Sequence, residues 1–328
     1  MAINNVLQGK RERSQDEQRQ HALGCMFGQL CGDALGAFIE FKQSEYLYRV
    51  YPNGIRDMFA GGTFAARSAG QITDDSEMAL ALARCLAEDQ DYHPDHVRSA
   101  YVCWLNSEPF DVGQTVRAGL QGVPLPNSQA NGAMMRISPL GIFGSRFSIG
   151  QVMEWARMDA RQTHVHPVCV EANAIFAAAL SACIRYELTP SDLLSLLQAF
   201  AESPVVPKAL QDVVATAAYD EPPVLDGTHQ GWVLLALRNT VWQLVHASNF
   251  EEGLVDTLQR GGDTDTNAAI CGALLGALYG QAQIPNRWIS AVTGFAADVN
   301  NPKVQLARPR TYWTTDVRPL VDQLLVKG

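Results

Sequence analysis

AAICGALLGALYG, residues 268–280, decides the fold class. Alanine and leucine dominate it and its apolar residues fall three and four apart, so it reads as a helix. Ala268, Gly272, Gly276 and Gly280 recur every four residues and therefore share one helix face. Each glycine in a helix interior costs about 1 kcal/mol relative to alanine. A face without side-chain bulk offsets that cost only where another backbone comes close, so a tight central helix crossing is expected.

Outward from this stretch the chain stays rich in Ala and Leu. Residues 76–87, 170–186, 189–202 and 231–246 are expected to be helical on the same grounds. Only residues 50–59 and 308–315 suit extended backbone. Residues 59–71, 123–131 and 219–229 carry the Gly, Pro and Asn of loops. None of these has the length or composition of an interdomain linker, and no repeat of solenoid period occurs. The expected architecture is one all-α domain over residues 21–328, behind a polar N-terminal arm of residues 1–20. The arm sets Lys10, Arg11, Arg13 and Arg19 among Glu12, Asp16 and Glu17. It reads as a frayed terminus or an exposed first helix.

Composition narrows the function classes. The 328 residues are 47% hydrophobic and 18% charged, which excludes a disordered chain. A net charge of −9 lacks the basic footprint of a nucleic-acid binder, so no nucleic acid is expected as partner. The longest near-apolar run is residues 268–280 themselves, too short to span a bilayer. The polar first twenty residues lack the apolar core of a signal peptide. No membrane partner and a cytoplasmic location are therefore expected. Seven cysteines without a C-x-x-C pair fit buried free thiols in a reducing compartment, and their spacing does not suit zinc.

Two acidic clusters carry the chemistry. Thr73-Asp74-Asp75-Ser76 precedes one helix, and Asp263-Thr264-Asp265-Thr266-Asn267 precedes another. Helix capping would explain either alone. Together they crowd more carboxylates than caps need, and the surplus repels unless a cation sits between. All-oxygen donors favour Mg²⁺ or Mn²⁺ over zinc. Four carboxylates from two distant segments can hold two ions, as in two-metal hydrolytic sites. Glu40, in GDALGAFIEF, is either a further oxygen ligand or an exposed residue at a helix end. The run Asn131-Gly132-Ala133-Met134-Met135-Arg136 is expected to open a helix through a turn that presents N–H groups to a phosphate. Asn-Gly also marks ordinary turns. His164 and His166 stand two apart and cannot share a helix face, so a zinc pair is not expected. Either contacts substrate or fills a polar slot. These residues point to a helical dimetal protein acting on a phosphate- or sugar-bearing molecule, and they do not name it.

Taken in order, the motifs resemble a known family. They are GDALGAFIEF (32–41), GQITDDSEMALALA (70–83), PFDVGQT (109–115), NGAMMRISPLG (131–141), THVHPVCVEA (163–172) and GGDTDTNAAICGALLGALYG (261–280). From about residue 22 to about 280 the chain is similar to the ADP-ribosylglycohydrolases, above all the bacterial branch related to the dinitrogenase reductase-activating glycohydrolase. The resemblance implies an orthogonal α-helical bundle with two Mg²⁺ or Mn²⁺ ions in a cleft. It implies hydrolysis of the bond between ADP-ribose and a protein side chain, arginine first. By motif, Thr73, Asp74, Asp75 and Asp265 would hold one ion, and Asp263, Asp265 and Thr266 the other. Glu40 would bind nearby or gate the site. Asn131 and Gly132 would hold the diphosphate, His164 would lie against the ADP-ribose, and Asp111 would face the arginine at the cleft mouth. Asp74, Asp75 or Glu40 would carry the leaving-group proton. The alternatives are hydrolysis of O-linked ADP-ribose, from serine or O-acetyl-ADP-ribose, and an immunity protein that docks on an ADP-ribosyltransferase toxin. In the latter an arginine of the arm would mimic the target side chain.

Overall fold

The structure is a computed structural model and describes residues 6–326. Helix Thr264–Tyr279 lies at its centre, with every residue from Thr264 to Leu278 buried. Its partner is helix Gln15–Gly36, in which Gly24, Gly28, Gly32 and Gly36 repeat the same four-residue step. The two run antiparallel with their small residues in contact. A Cβ on Gly28 would stand 2.0 Å from the Gly272 carbonyl oxygen, and one on Gly24 2.2 Å from that of Gly276. Backbone atoms cannot swing aside, so these positions require glycine. The expected crossing is present, and the sequence of the partner helix carries its other half. Gly280 differs from the expectation. It lies beyond the helix at φ 78° and ends it instead of packing.

Helices Asp74–Asp89, Pro167–Arg185, Pro190–Ala201 and Val233–His246 stand where the apolar spacing places them. A single main core joins them, from Ala22 to Leu324. Helix Pro167–Arg185 is longer than the run at residues 268–280. It is apolar enough to cross a membrane, but 94% of its apolar window is buried inside the protein, so here it is a core helix. Among the described residues there are fifteen α-helices and no β-strand. Residues 50–59 and 308–315 are therefore not extended strands; the latter contains the 3-10 turn Arg310–Tyr312. Their polar groups bond sideways instead. Arg308 donates to buried Glu77, and the Arg56 carbonyl accepts from the Trp288 indole. Residues 131–136 form a turn, and the helix begins only at Ser138–Gly144. The Asn131 carbonyl accepts from both Met134 and Met135, a single turn that is not continued into a helix.

Of the N-terminal arm, residues 1–5 lie outside the described residues, and residues 6–20 differ from a frayed terminus. Ser14 and Glu17 form a capping box that starts the central helix at Gln15, so residues 15–20 belong to that helix. Buried Arg13 donates to the Tyr186 carbonyl and its N–H to that of Arg185. Those are bare carbonyls at the end of helix Pro167–Arg185, which need a donor. Lys10 pairs with Asp192, Arg11 with Glu17 and Glu187, and Arg19 with Asp322. All four cations of the arm thus have a partner within the protein.

Candidate active site

The glycine crossing runs out at Gly36, where a Cβ would stand 2.4 Å from the Asp265 backbone. The Thr264 hydroxyl donates to the Gly36 carbonyl at 2.8 Å and ties the two helix ends together. Beyond Gly36 the chain turns, and Phe41 donates to Gly262 at 2.7 Å while Gly262 donates to Lys42 at 3.0 Å. This clamp holds Phe41 at φ 61°, a costly conformation for an aromatic residue. It also turns Glu40 inward, which excludes the exposed helix-end reading. One oxygen each from Glu40, Asp263 and Asp265 falls within 4.8 Å of the others, and all three residues are buried.

The second cluster is set by a residue that the motif analysis did not single out. Asp33 accepts the N–H of Thr73 at 3.0 Å and of Ser76 at 3.1 Å, and it lies 3.0 Å from the Thr73 hydroxyl. Helix Asp74–Asp89 is thus capped from a different helix. Neither Thr73 nor Asp263 caps its own helix through its side chain. Capping therefore does not account for the clusters, although Asp265 does accept from Thr266 at 2.9 Å. The signal for Asp33 was legible: it is the only Asp or Glu between His21 and Glu40, inside an apolar helix.

A cleft of about 680 Å³ opens over these groups. Glu40, Asp74, Asp111, Asp263, Asp265 and Thr266 line it, and so do Asn131, Gly132 and His164. Thr73 and Asp75 do not; they lie buried, with Asp75 Oδ2 3.1 Å from the Thr73 hydroxyl. Asp74 accepts from the Gly113 N–H at 3.3 Å, which seats the Asp111 loop on the acidic cluster. Asn131 donates to Asp263 at 2.7 Å and joins the turn to it. His164 is wholly buried, with Nδ1 2.8 Å from Thr163. His166 instead accepts from Val168 and caps helix Pro167–Arg185. Phe41, half-exposed, also lines the cleft; its positive φ was invisible to motif reading.

Burial raises every carboxyl here, and repulsion by neighbouring carboxylates adds to it at Glu40, Asp74, Asp75, Asp111 and Asp265. Burial pushes Glu40 up to about 9, aided by Asp111, Asp263 and Asp74. Burial carries Asp111 to about 6, aided by Asp263 and Asp33. Asp74, Asp75 and Asp265 rise well above the ordinary carboxylate range, first through burial and then through neighbouring charges. The N-termini of helices Asp74–Asp89 and Thr264–Tyr279 offset part of this repulsion. Glu40 Oε2 and Asp75 Oδ1 are buried without a hydrogen-bond partner. Carboxyls buried in such number ionise together only beside a positive partner. An all-oxygen donor set with free carboxylate oxygens fits a hard divalent cation.

A sequence model of the family ADP-ribosylglycohydrolase matches residues 14–324. The ADP-ribosyl-(dinitrogen reductase) glycohydrolase of Rhodospirillum rubrum is 29% identical over 282 residues, covering 82% of this chain and 89% of that protein. The ADP-ribosylarginine hydrolase Tri1 of Pseudomonas putida strain GB-1 is 25% identical over 294 residues, covering 84% and 75%. A solved structure described as an ADP-ribosylglycohydrolase-related protein complex superposes with a TM-score of 0.77 at 26% identity, over 94% of this chain and 98% of that one. With its helical fold, its buried carboxylate cluster and a family match across nearly its whole length, the chain belongs to the ADP-ribosylglycohydrolases, enzymes that hydrolyse ADP-ribose linkages.

Proposed function

We propose that this enzyme releases ADP-ribose from arginine side chains of modified proteins, assisted by two Mg²⁺ or Mn²⁺ ions. The observation that carries the reading is the cleft itself. It joins the Glu40–Asp263–Asp265 cluster to a wall of Asn131, Gly132 and His164. Asp74, Asp263, Asp265 and Thr266 would hold the ions, with Thr73 and Asp75 beneath them. Bound there, divalent cations orient ribose hydroxyls and acidify water. The remaining work falls to the chain. Breaking the bond from the anomeric carbon to the guanidine nitrogen builds positive charge on the sugar, which the facing carboxylates stabilise. Water supplies the new oxygen, and a carboxyl of Glu40 or Asp74, both on the cleft wall, returns a proton to the departing guanidine; Asp75, beneath the wall, does not reach it. Asn131 and Gly132 hold the diphosphate.

The arginine assignment rests on two points. One relative is named an ADP-ribosylarginine hydrolase. Asp111 places a half-buried carboxylate on the cleft wall, suited to a guanidinium. Peptides ADP-ribosylated on arginine, serine or cysteine, incubated with Mg²⁺, with Mn²⁺ or with EDTA, test the reading. Metal-dependent release from arginine is expected, and release from serine alone would overturn the linkage. Asp111→Ala is expected to lower kcat/KM on ADP-ribosyl-arginine about ten-fold or more while changing free ADP-ribose affinity little. Equal losses in both would make Asp111 structural.

A further inference from the structure

His164 ends a buried chain of hydrogen bonds whose direction can be read from its donors. Asp159 accepts from the Tyr101 hydroxyl at 2.8 Å and from Arg136 Nε at 3.0 Å. Arg136 has donors only. Its Nη1 lies 2.9 Å from Thr163 Oγ1, so Thr163 is the acceptor there. Thr163 keeps one proton to give, and the other partner of its hydroxyl is His164 Nδ1 at 2.8 Å. Tyr101, Arg136, Asp159, Thr163 and His164 are all fully buried, so water does not compete for these bonds. Were Nδ1 the donor instead, the Thr163 proton would have no acceptor among the described residues, and a buried unpaired hydroxyl is costly.

We propose that Asp159, Arg136 and Thr163 are positioning residues that lock His164 as the neutral Nε2–H tautomer. It then presents one fixed N–H donor to a phosphate or ribose oxygen of the nucleotide. Nε2 is buried and has no partner within the protein, and the ring lines the cleft. Gly132 lies beside that edge. A Cβ there would stand 3.4 Å from Nε2, so glycine leaves the approach open. Burial and the Arg136 charge push the imidazole pKa down to about 3, which keeps the ring neutral. Only the nature of the acceptor rests on the ADP-ribose reading; the tautomer does not.

The test is long-range ¹H–¹⁵N NMR of the Mg²⁺-loaded full chain, with His164 assigned by comparison with His164→Gln. Wild type and Thr163→Ser, which keeps the hydroxyl, are expected to show a protonated Nε2 and a bare Nδ1. Thr163→Val is expected to lose the single tautomer and to bind ADP-ribose about ten-fold more weakly, with Thr163→Ser within about two-fold of wild type. A protonated Nδ1 in the wild type overturns the proposal. So does a Thr163→Val protein with unchanged tautomer and affinity. If wild type shows the expected tautomer but binds no ADP-ribose, the relay stands and the nucleotide assignment falls.

Discussion

Asp265 shows what the site costs the fold. Its carboxyl is buried and crowded by Glu40, Asp75, Asp263 and Asp111. Asp265→Asn removes one charge from that crowd and keeps the shape. The metal-free variant is therefore expected to melt higher than metal-free wild type, by the few degrees that about 1–2 kcal/mol provides in a protein of this size. Turnover should fall by about three orders of magnitude, since the cluster works as a unit. The Mg²⁺-induced rise in Tm should shrink with it, because stabilisation by a ligand follows its affinity. Calorimetry with and without Mg²⁺, beside an activity assay, reads all three. A variant that is less stable without metal and keeps the full Mg²⁺ response would contradict this account of the cluster.

Helices are where sequence and structure agree most closely. The four-residue glycine step at residues 268–280 fixed the central crossing, because no other use of so many helix glycines offsets their propensity loss. The expected strands failed for the complementary reason: aromatic and β-branched residues favour strands only when a neighbour can pair with them. The frayed-terminus alternative for the arm failed because Arg13 is satisfied by carbonyls more than 170 residues away, which no local pattern announces, whereas the helical alternative holds for residues 15–20. Asp74 and Asp263 were found by crowding, whereas the outside cap from Asp33 needs tertiary contact to be seen. The crossing also supplies a sharp mutational contrast. Gly28→Ala puts a methyl 2.0 Å from a backbone oxygen and is expected to cost more than about 4 kcal/mol or to abolish folding. Gly150→Ala, at an exposed position in the first turn of helix Ile149–Arg161 with nothing near, should be neutral or stabilise by up to about 1 kcal/mol. Chemical denaturation of the two variants checks this, and equal effects would mean that the crossing can separate.

Three parts of the whole molecule meet at His21. Its Nδ1 lies 2.8 Å from the Ala277 carbonyl on the central helix and 3.4 Å from Arg13 of the arm. Burial lowers its pKa from the ordinary 6.5, against the Ala277 bond, with the Arg13 charge also lowering it. The unfolded chain therefore binds a proton more readily than the folded one. The contribution of His21 is fully present above pH 6.5 and is lost as pH falls from there toward its folded value. In Mg²⁺-loaded protein, so that the carboxylate cluster adds no opposite slope, Tm should drop between pH 7.5 and 5.5. In His21→Gln the drop should be smaller. An identical pH dependence in both proteins would place the titrating group elsewhere.

The antiparallel contact of the two central helices ends at Gly36 and Asp265, which is also where the carboxylates gather. The spacing of Glu40 from Asp265 is thus referenced to peptide planes resting on peptide planes, not to the rotamers of bulky side chains. Such a gauge has few soft degrees of freedom. Warming loosens side-chain packing well before it separates two backbones already in contact, so the geometry of the cleft floor should hold until the molecule melts as a whole. Catalysis would then fade together with global unfolding and not ahead of it.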